Sequence, residues 1–98
     1  MRGRRRTIAA ALADVLARTP QARKAALAAA FADACGSRIA REASFRGELV
    51  DGKLLVLVRT PAWAEQLASL ESEICARIEA RLGAGSAPGL HIRVHQPR

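Results

Sequence analysis

Hydrophobic positions along this chain switch between helical and strand spacing, and each switch marks an element. Ile8, Leu12, Val15 and Leu16 recur at i, i+4, i+7 and i+8, one face of a helix. Thr19-Pro20 interrupts that stripe, and proline suits the first turn of a following helix, where its missing N–H would have no partner anyway. A second helix is expected from about Pro20 to Ala34, nearly all alanine, with Leu27, Phe31, Ala34 and Cys35 on one face. Gly36-Ser37 is either its stop or a kink before Arg38-Ile39-Ala40-Arg41.

The period then falls to two. Phe45, Gly47 and Leu49 alternate with Arg46, Glu48 and Val50, Asp51-Gly52 follows, and Leu54 to Val58 is apolar at every position. Asp-Gly between two strand-like runs predicts a hairpin closed by a type I′ turn, in which both central residues take positive φ. A continuously apolar strand belongs at the centre of a sheet or under cover on both faces. Thr60-Pro61 reads as an N-cap followed by the first helical position. From there Trp63, Leu67, Leu70, Ile74 and Ile78 fall within a narrow arc, with Glu65, Glu73, Arg77 and Arg81 off it, which predicts one long helix. After a small-residue loop from Gly83 to Gly89, Leu90, Ile92 and Val94 alternate with His91, Arg93 and His95 as a half-buried third strand.

The resulting order is α-α-β-β-α-β. A strand–helix–strand unit crosses over right-handed, which sets the last strand parallel to Leu54–Val58. The fold class is therefore α+β: a single small domain with a three-stranded mixed sheet and helices packed on one face. Residues 1–7 are expected to form a flexible basic leader, 8–95 the domain and 96–98 a short tail. At 98 residues there is room for one domain. Because 22 residues are alanine and only Phe31, Phe45 and Trp63 are aromatic, the core must rest on Leu, Ile and Val.

Composition narrows the function classes. No apolar run approaches the roughly 18 residues of a membrane span, and Arg2 to Arg6 leads into a segment broken by Asp14 and Arg18, unlike a secretory signal. A cytoplasmic location without membrane contact is expected. Cys35 and Cys75 lack the CxxC or Cys/His spacing of a zinc site, so reduced, packing thiols and no metal are expected. The serines have no nearby histidine and no GxSxG elbow, and the Gly83–Gly89 loop lacks the Lys-Ser/Thr of a phosphate-binding loop. Glu71 and Glu73, two apart on a helix, point in different directions. The expectation is a non-enzyme with no cofactor and no small-molecule substrate.

Charge is the informative quantity. The net charge is +7, and residues 1–41 carry all of it: Arg2, Arg4, Arg5, Arg6, Arg18, Arg23, Lys24, Arg38 and Arg41 against Asp14 and Asp33. Residues 42–98 hold seven charges of each sign. Almost all the cations are arginine, as a GC-rich genome would give, but codon bias does not explain their concentration in one half. The asymmetry points to a polyanionic partner, nucleic acid or an acidic protein surface, with those nine residues as the candidate binding set. His91, Arg93 and His95 share the outward face of the last strand, either as a phosphate-contacting strip or as a solvated face; the histidines stand about 13 Å apart, too far to chelate one metal. Trp63 is in register with the apolar stripe, a core anchor or else a stacking platform. With so few aromatics, any nucleic-acid binding should be dominated by phosphate contacts and depend steeply on salt.

The segment Gly52-Lys-Leu-Leu-Val-Leu-Val-Arg-Thr-Pro-Ala-Trp63-Ala-Glu-Gln-Leu67, followed by a long helix, Leu82-Gly83 and the strand Leu90-His-Ile-Arg-Val94, resembles the DciA-like family. That family was long catalogued as a domain of unknown function and often labelled RNA-binding. Its signature is a short Gly-x-Leu-x-Val strand, a few small or polar residues, then Trp-Ala-x-x-Leu opening a helix. Upstream, Phe31 stands in the place of the family's usual tryptophan, with Gly36 and Ile39-Ala40 following. The resemblance covers about residues 8–95. It implies a KH-like fold without a GxxG loop, and Phe31, Gly36, Gly52, Trp63 and Leu67 as motif positions in or near the core. It further implies a bacterial replication role: assisting a DnaB-type replicative helicase onto single-stranded DNA. RNA binding, or a pure protein-interaction module using its basic face, are the alternatives.

Overall fold

The computed structural model describes residues 19–95. The predicted first helix and the basic leader lie outside the described residues. Helix α1 spans Pro20–Ala40 and is capped by Thr19, whose Oγ1 accepts the Ala22 N–H at 3.2 Å. Its buried face is Leu27, Ala30, Phe31 and Ala34. The alanines on that face let the helix approach strand β1 (Ala43–Glu48) closely. Gly36 resolves the choice between stop and kink: with φ 83° and ψ 161° it breaks the helical geometry, yet the helix resumes to Ala40. This backbone region is essentially open to glycine alone.

Strands β1, β2 (Leu54–Val58) and β3 (Leu90–Val94) form one sheet in that order, β1–β2 antiparallel and β2–β3 parallel. The uniformly apolar β2 is the central strand, and the parallel pairing is the one its crossover predicts. Two local expectations are corrected. The hairpin is not a type I′ turn, because Asp51 does not take positive φ; Gly52 alone does, at 90°. Leu49 N–H bonds the Lys53 carbonyl at 2.8 Å and Gly52 N–H bonds the Leu49 carbonyl at 2.9 Å. The loop is thus three residues with glycine last, the other common hairpin closure. In β1 a bulge at Arg46 flips the alternation: Phe45 pairs with Val56, whereas Gly47 pairs with Leu55. Phe45 and Gly47 therefore face opposite sides of the sheet.

The helix expected to run unbroken from Pro61 is in two pieces, α2 (Pro61–Ser69) and α3 (Glu71–Leu82). Thr60 caps α2 as predicted, its Oγ1 accepting the Trp63 N–H at 3.2 Å. The break falls at Leu70, φ −103° and ψ 2°. There Ser69 Oγ donates to the Gln66 carbonyl at 2.7 Å, occupying an acceptor of the last turn. The bend lets α2 lie against β3 while α3 packs on α1. Leu67, Ile74 and Ile78 stay fully inside across the break, so the apolar stripe survives although the helix does not. The carboxylates of α3 tie down the loop before β3: Glu79 Oε2 accepts the Gly85 N–H at 2.8 Å, and Glu71 Oε2 accepts the Leu90 N–H at 2.9 Å.

Candidate nucleic-acid interface

Alternation along β2 divides the sheet into two unlike faces. Leu54, Val56 and Val58 are at most 1% exposed, sealed beneath the helices. Leu55 and Leu57 point the other way and are only half-buried. Register completes that second face: Ser44 lies opposite Leu57 and Gly47 opposite Leu55 on β1, while His91 and Arg93 lie beside the same two leucines on β3. Arg93 Nε donates to His91 Nε2 at 3.3 Å, which holds both side chains on this face.

At the end of the face where β2 and β3 finish, a cleft of about 260 Å³ is lined by Arg41, Arg46, Arg59 and His95 together with Ser44 and Leu57. Glu42 is the carboxylate at its wall, 3.8 Å from Arg59 Nε. The other acids of the second half lie elsewhere. Glu65, Glu71, Glu73 and Glu79 sit on α2 and α3, and Glu73 pairs with Arg77 at 2.6 Å. Glu48 is held by α1, and Asp51 accepts the Lys53 N–H within the hairpin loop. A half that is neutral by count is therefore sorted by the fold into a helix layer rich in carboxylates and a sheet face rich in guanidiniums.

The nine cations singled out from the sequence do not form one patch in the described residues. Arg2, Arg4, Arg5, Arg6 and Arg18 lie outside them. Arg23 meets Glu48 through two parallel bonds, Nε–Oε1 at 2.8 Å and Nη2–Oε2 at 3.1 Å, and the bond to Glu48 raises its pKa further. Lys24 is exposed beside it. Arg38 and Arg41 stand at the opposite end of α1, roughly 20 Å away at helical rise. Arg41 joins the cleft; Arg38 joins a second, larger groove of about 650 Å³ whose lining includes Gly36, Ile39, Trp63 and Gln66. Arg46 and Arg59 were missed because charge was counted by segment, whereas Arg93 was already set with His91 and His95 on the outward face of the last strand. Strand alternation already sets Arg59 and Arg93 opposite to Val58 and Val94; what was lacking was the pairing that puts them on one surface.

Among the motif positions, Phe31 and Leu67 are buried, Gly52 shapes the hairpin turn, and Gly36 and Trp63 meet at the larger groove. Trp63 is half-buried and packs against the core. Arg77 Nη1 donates to the Ala34 carbonyl at 3.0 Å, giving the last turn before the Gly36 break a partner from α3. Both cysteines are free thiols. Burial pushes Cys35 up to about 11, against the opposing pull of Arg77, and raises Cys75 with help from Glu71 and Glu79. Such thiols are poor nucleophiles. Among the described residues, no group of three or more His, Cys, Asp or Glu could hold a metal ion, and no helix is long and apolar enough to cross a membrane.

The fold sets the class: a small α+β domain whose sheet has one face sealed by helices and the other basic. Within that class the chain belongs to the DciA family: the family model described as "Dna[CI] antecedent, DciA" matches residues 6–92. Membership places it with proteins whose family role is loading the replicative helicase. No curated protein matches the chain.

Proposed function

We propose that this chain is a non-enzymatic, nucleic-acid-binding adaptor that helps load a DnaB-type replicative helicase onto single-stranded DNA in the cytoplasm. The observation that carries this reading is the match to the DciA family across residues 6–92. The net charge of +7 supports a polyanionic partner, and the three-stranded sheet with helices on one side is compatible with a KH-like domain. On this reading Arg2, Arg4, Arg5, Arg6 and Arg18 act as an electrostatic arm, and Lys24, Arg38 and Arg41 add cations at the two ends of α1, where Glu48 already engages Arg23. Binding energy comes from phosphate neutralisation and counterion release.

The test is size-exclusion co-migration with the DnaB-type helicase of the same genome, at moderate salt and with nuclease present. A stable complex is expected; its absence from a folded sample overturns the loader role. Replacing Arg4, Arg5 and Arg6 by alanine should reduce the log–log salt slope of single-stranded DNA binding by about two units. An unchanged slope removes the arm from the mechanism. Competition of RNA against DNA of one sequence separates the two nucleic acids, since preference for RNA requires contacts to the 2′-hydroxyl.

A further inference from the structure

We propose that the face of the sheet that no described helix covers is the track for a single nucleic-acid strand, its bases lying on Leu55 and Leu57 and its phosphates held by Arg41, Arg46, Arg59 and Arg93. This rests on the nucleic-acid reading above and says where on the molecule the strand lies.

Three features of the face select that occupant. The first is charge. Among the described residues, four guanidiniums and two imidazoles gather on or beside this surface, and Glu42 is the one carboxylate lining its cleft. The remaining acids of residues 42–98 are drawn into the helix layer or the hairpin loop. A polyanionic partner is thus attracted to this side. The second is the apolar centre. Leu55 and Leu57 are half-buried, in register with His91 and Arg93, and the Arg93–His91 bond keeps two flat side chains beside them. Unstacked bases can lie against leucine, imidazole and guanidinium planes; a duplex keeps its bases inside and would leave the leucines facing phosphates.

The third feature is width. Strands lie about 4.8 Å apart, so three of them make a floor about 10 Å across, with cations about 5 Å to either side of the central leucines. That suits one backbone running beside one row of bases. The cleft at the end of β2 and β3, where Arg41, Arg46 and Arg59 converge, provides a phosphate seat at which the strand enters or leaves.

The experiment uses the full chain and a labelled single-stranded oligothymidylate. In a methyl-resolved NMR titration, the methyls of Leu55 and Leu57 should shift while those of Leu54, Val56 and Val58, in the same strand but sealed under the helices, should not. This readout needs no substitution and so does not depend on a variant folding. The triple variant Arg46→Ala, Arg59→Ala, Arg93→Ala should lower the salt slope by about two units, which is about 100-fold weaker binding at 0.1 M salt if affinities converge at 1 M. Leu57→Ser should weaken binding several-fold with the slope unchanged, because it removes no charge. If the wild-type chain binds the oligonucleotide but the Leu55 and Leu57 methyls stay still and the triple variant keeps its slope, the strand lies elsewhere and this proposal is overturned while the adaptor reading stands. If the wild-type chain binds no single strand, both fall. If those methyls respond to the helicase and not to DNA, the face is a protein interface and the proposal is overturned.

Discussion

Leu54 and Leu55 are chain neighbours of identical chemistry in one strand, yet Leu54 has no exposed surface while Leu55 looks out from the opposite face. The difference extends to the whole sheet. Its inner face meets Phe31 of α1, Leu67 of α2 and Ile74 and Ile78 of α3, all of them buried. Its outer face carries two leucines among arginines and histidines. Burial energy is concentrated on the first face and positive charge on the second, where Glu42 lies 3.8 Å from Arg59 and Arg93 bonds His91. Stability and the proposed binding surface therefore fall on alternate residues of the same three strands, and each should be open to perturbation without the other.

The widest separation should come from Leu54→Ala against Leu55→Ala. The inner substitution is expected to cost about 2–5 kcal/mol by urea denaturation, from lost transfer energy plus a cavity. The outer one should cost about 1–2 kcal/mol, because its side chain keeps part of its surface in water and its truncation leaves no closed cavity. Affinity for single-stranded DNA should rank in reverse among the folded variants. Equal destabilisation would mean that something packs the outer face.

Gly36→Ala sharpens the comparison from the helix side, where the kink shapes the layer over the inner face. A Cβ at this position would meet nothing within 4 Å, so crowding is not the issue. At φ 83° and ψ 161° the expected cost is backbone strain of about 1–3 kcal/mol in a thermal melt. Were the residue in regular helix, alanine would instead stabilise by roughly 0.5–1 kcal/mol, so the sign of the change decides. DNA affinity should be little altered.

The smallest effect is a pH dependence confined to the covered side. Cys35 is held near 11 against an ordinary 9.0, and Cys75 is raised in the same direction. Below the ordinary value both folded and unfolded states keep the proton, and stability does not respond. Between 9.0 and about 11 the unfolded chain ionises while the folded chain retains the proton, so stability should fall as pH rises. Denaturation midpoints of Cys35→Ala should decline less steeply than those of the wild type through that window. Identical slopes would show that Cys35 is solvated.

Much of the secondary structure was legible because it is local. A Thr-Pro pair sets each of two helix starts, a glycine allows the kink, and the run Leu54 to Val58 marks a central strand. Boundaries that depend on competing hydrogen bonds were not legible. The break at Leu70 leaves the apolar stripe intact, and periodicity alone registers only the stripe. The bulge at Arg46 likewise leaves composition unchanged while reversing which side chains share a face.

The same division holds for the candidate interface. The α+β class, the positive excess charge and the Trp-Ala-x-x-Leu helix after a hairpin strand follow from neighbouring residues and could be read along the chain. Which charges already have partners depends on the folded arrangement. Arg23 is claimed by Glu48, Arg81 by Asp33 and Arg77 by Glu73 and the Ala34 carbonyl. Arg46, Arg59 and Arg93, from a half with no net charge, come together on the sheet face that no described helix covers, with Glu42 beside Arg59. Pairing of charges is set by distance in space, and a chain that folds residue 23 against 48 and 33 against 81 makes that distance unreadable from sequence separation.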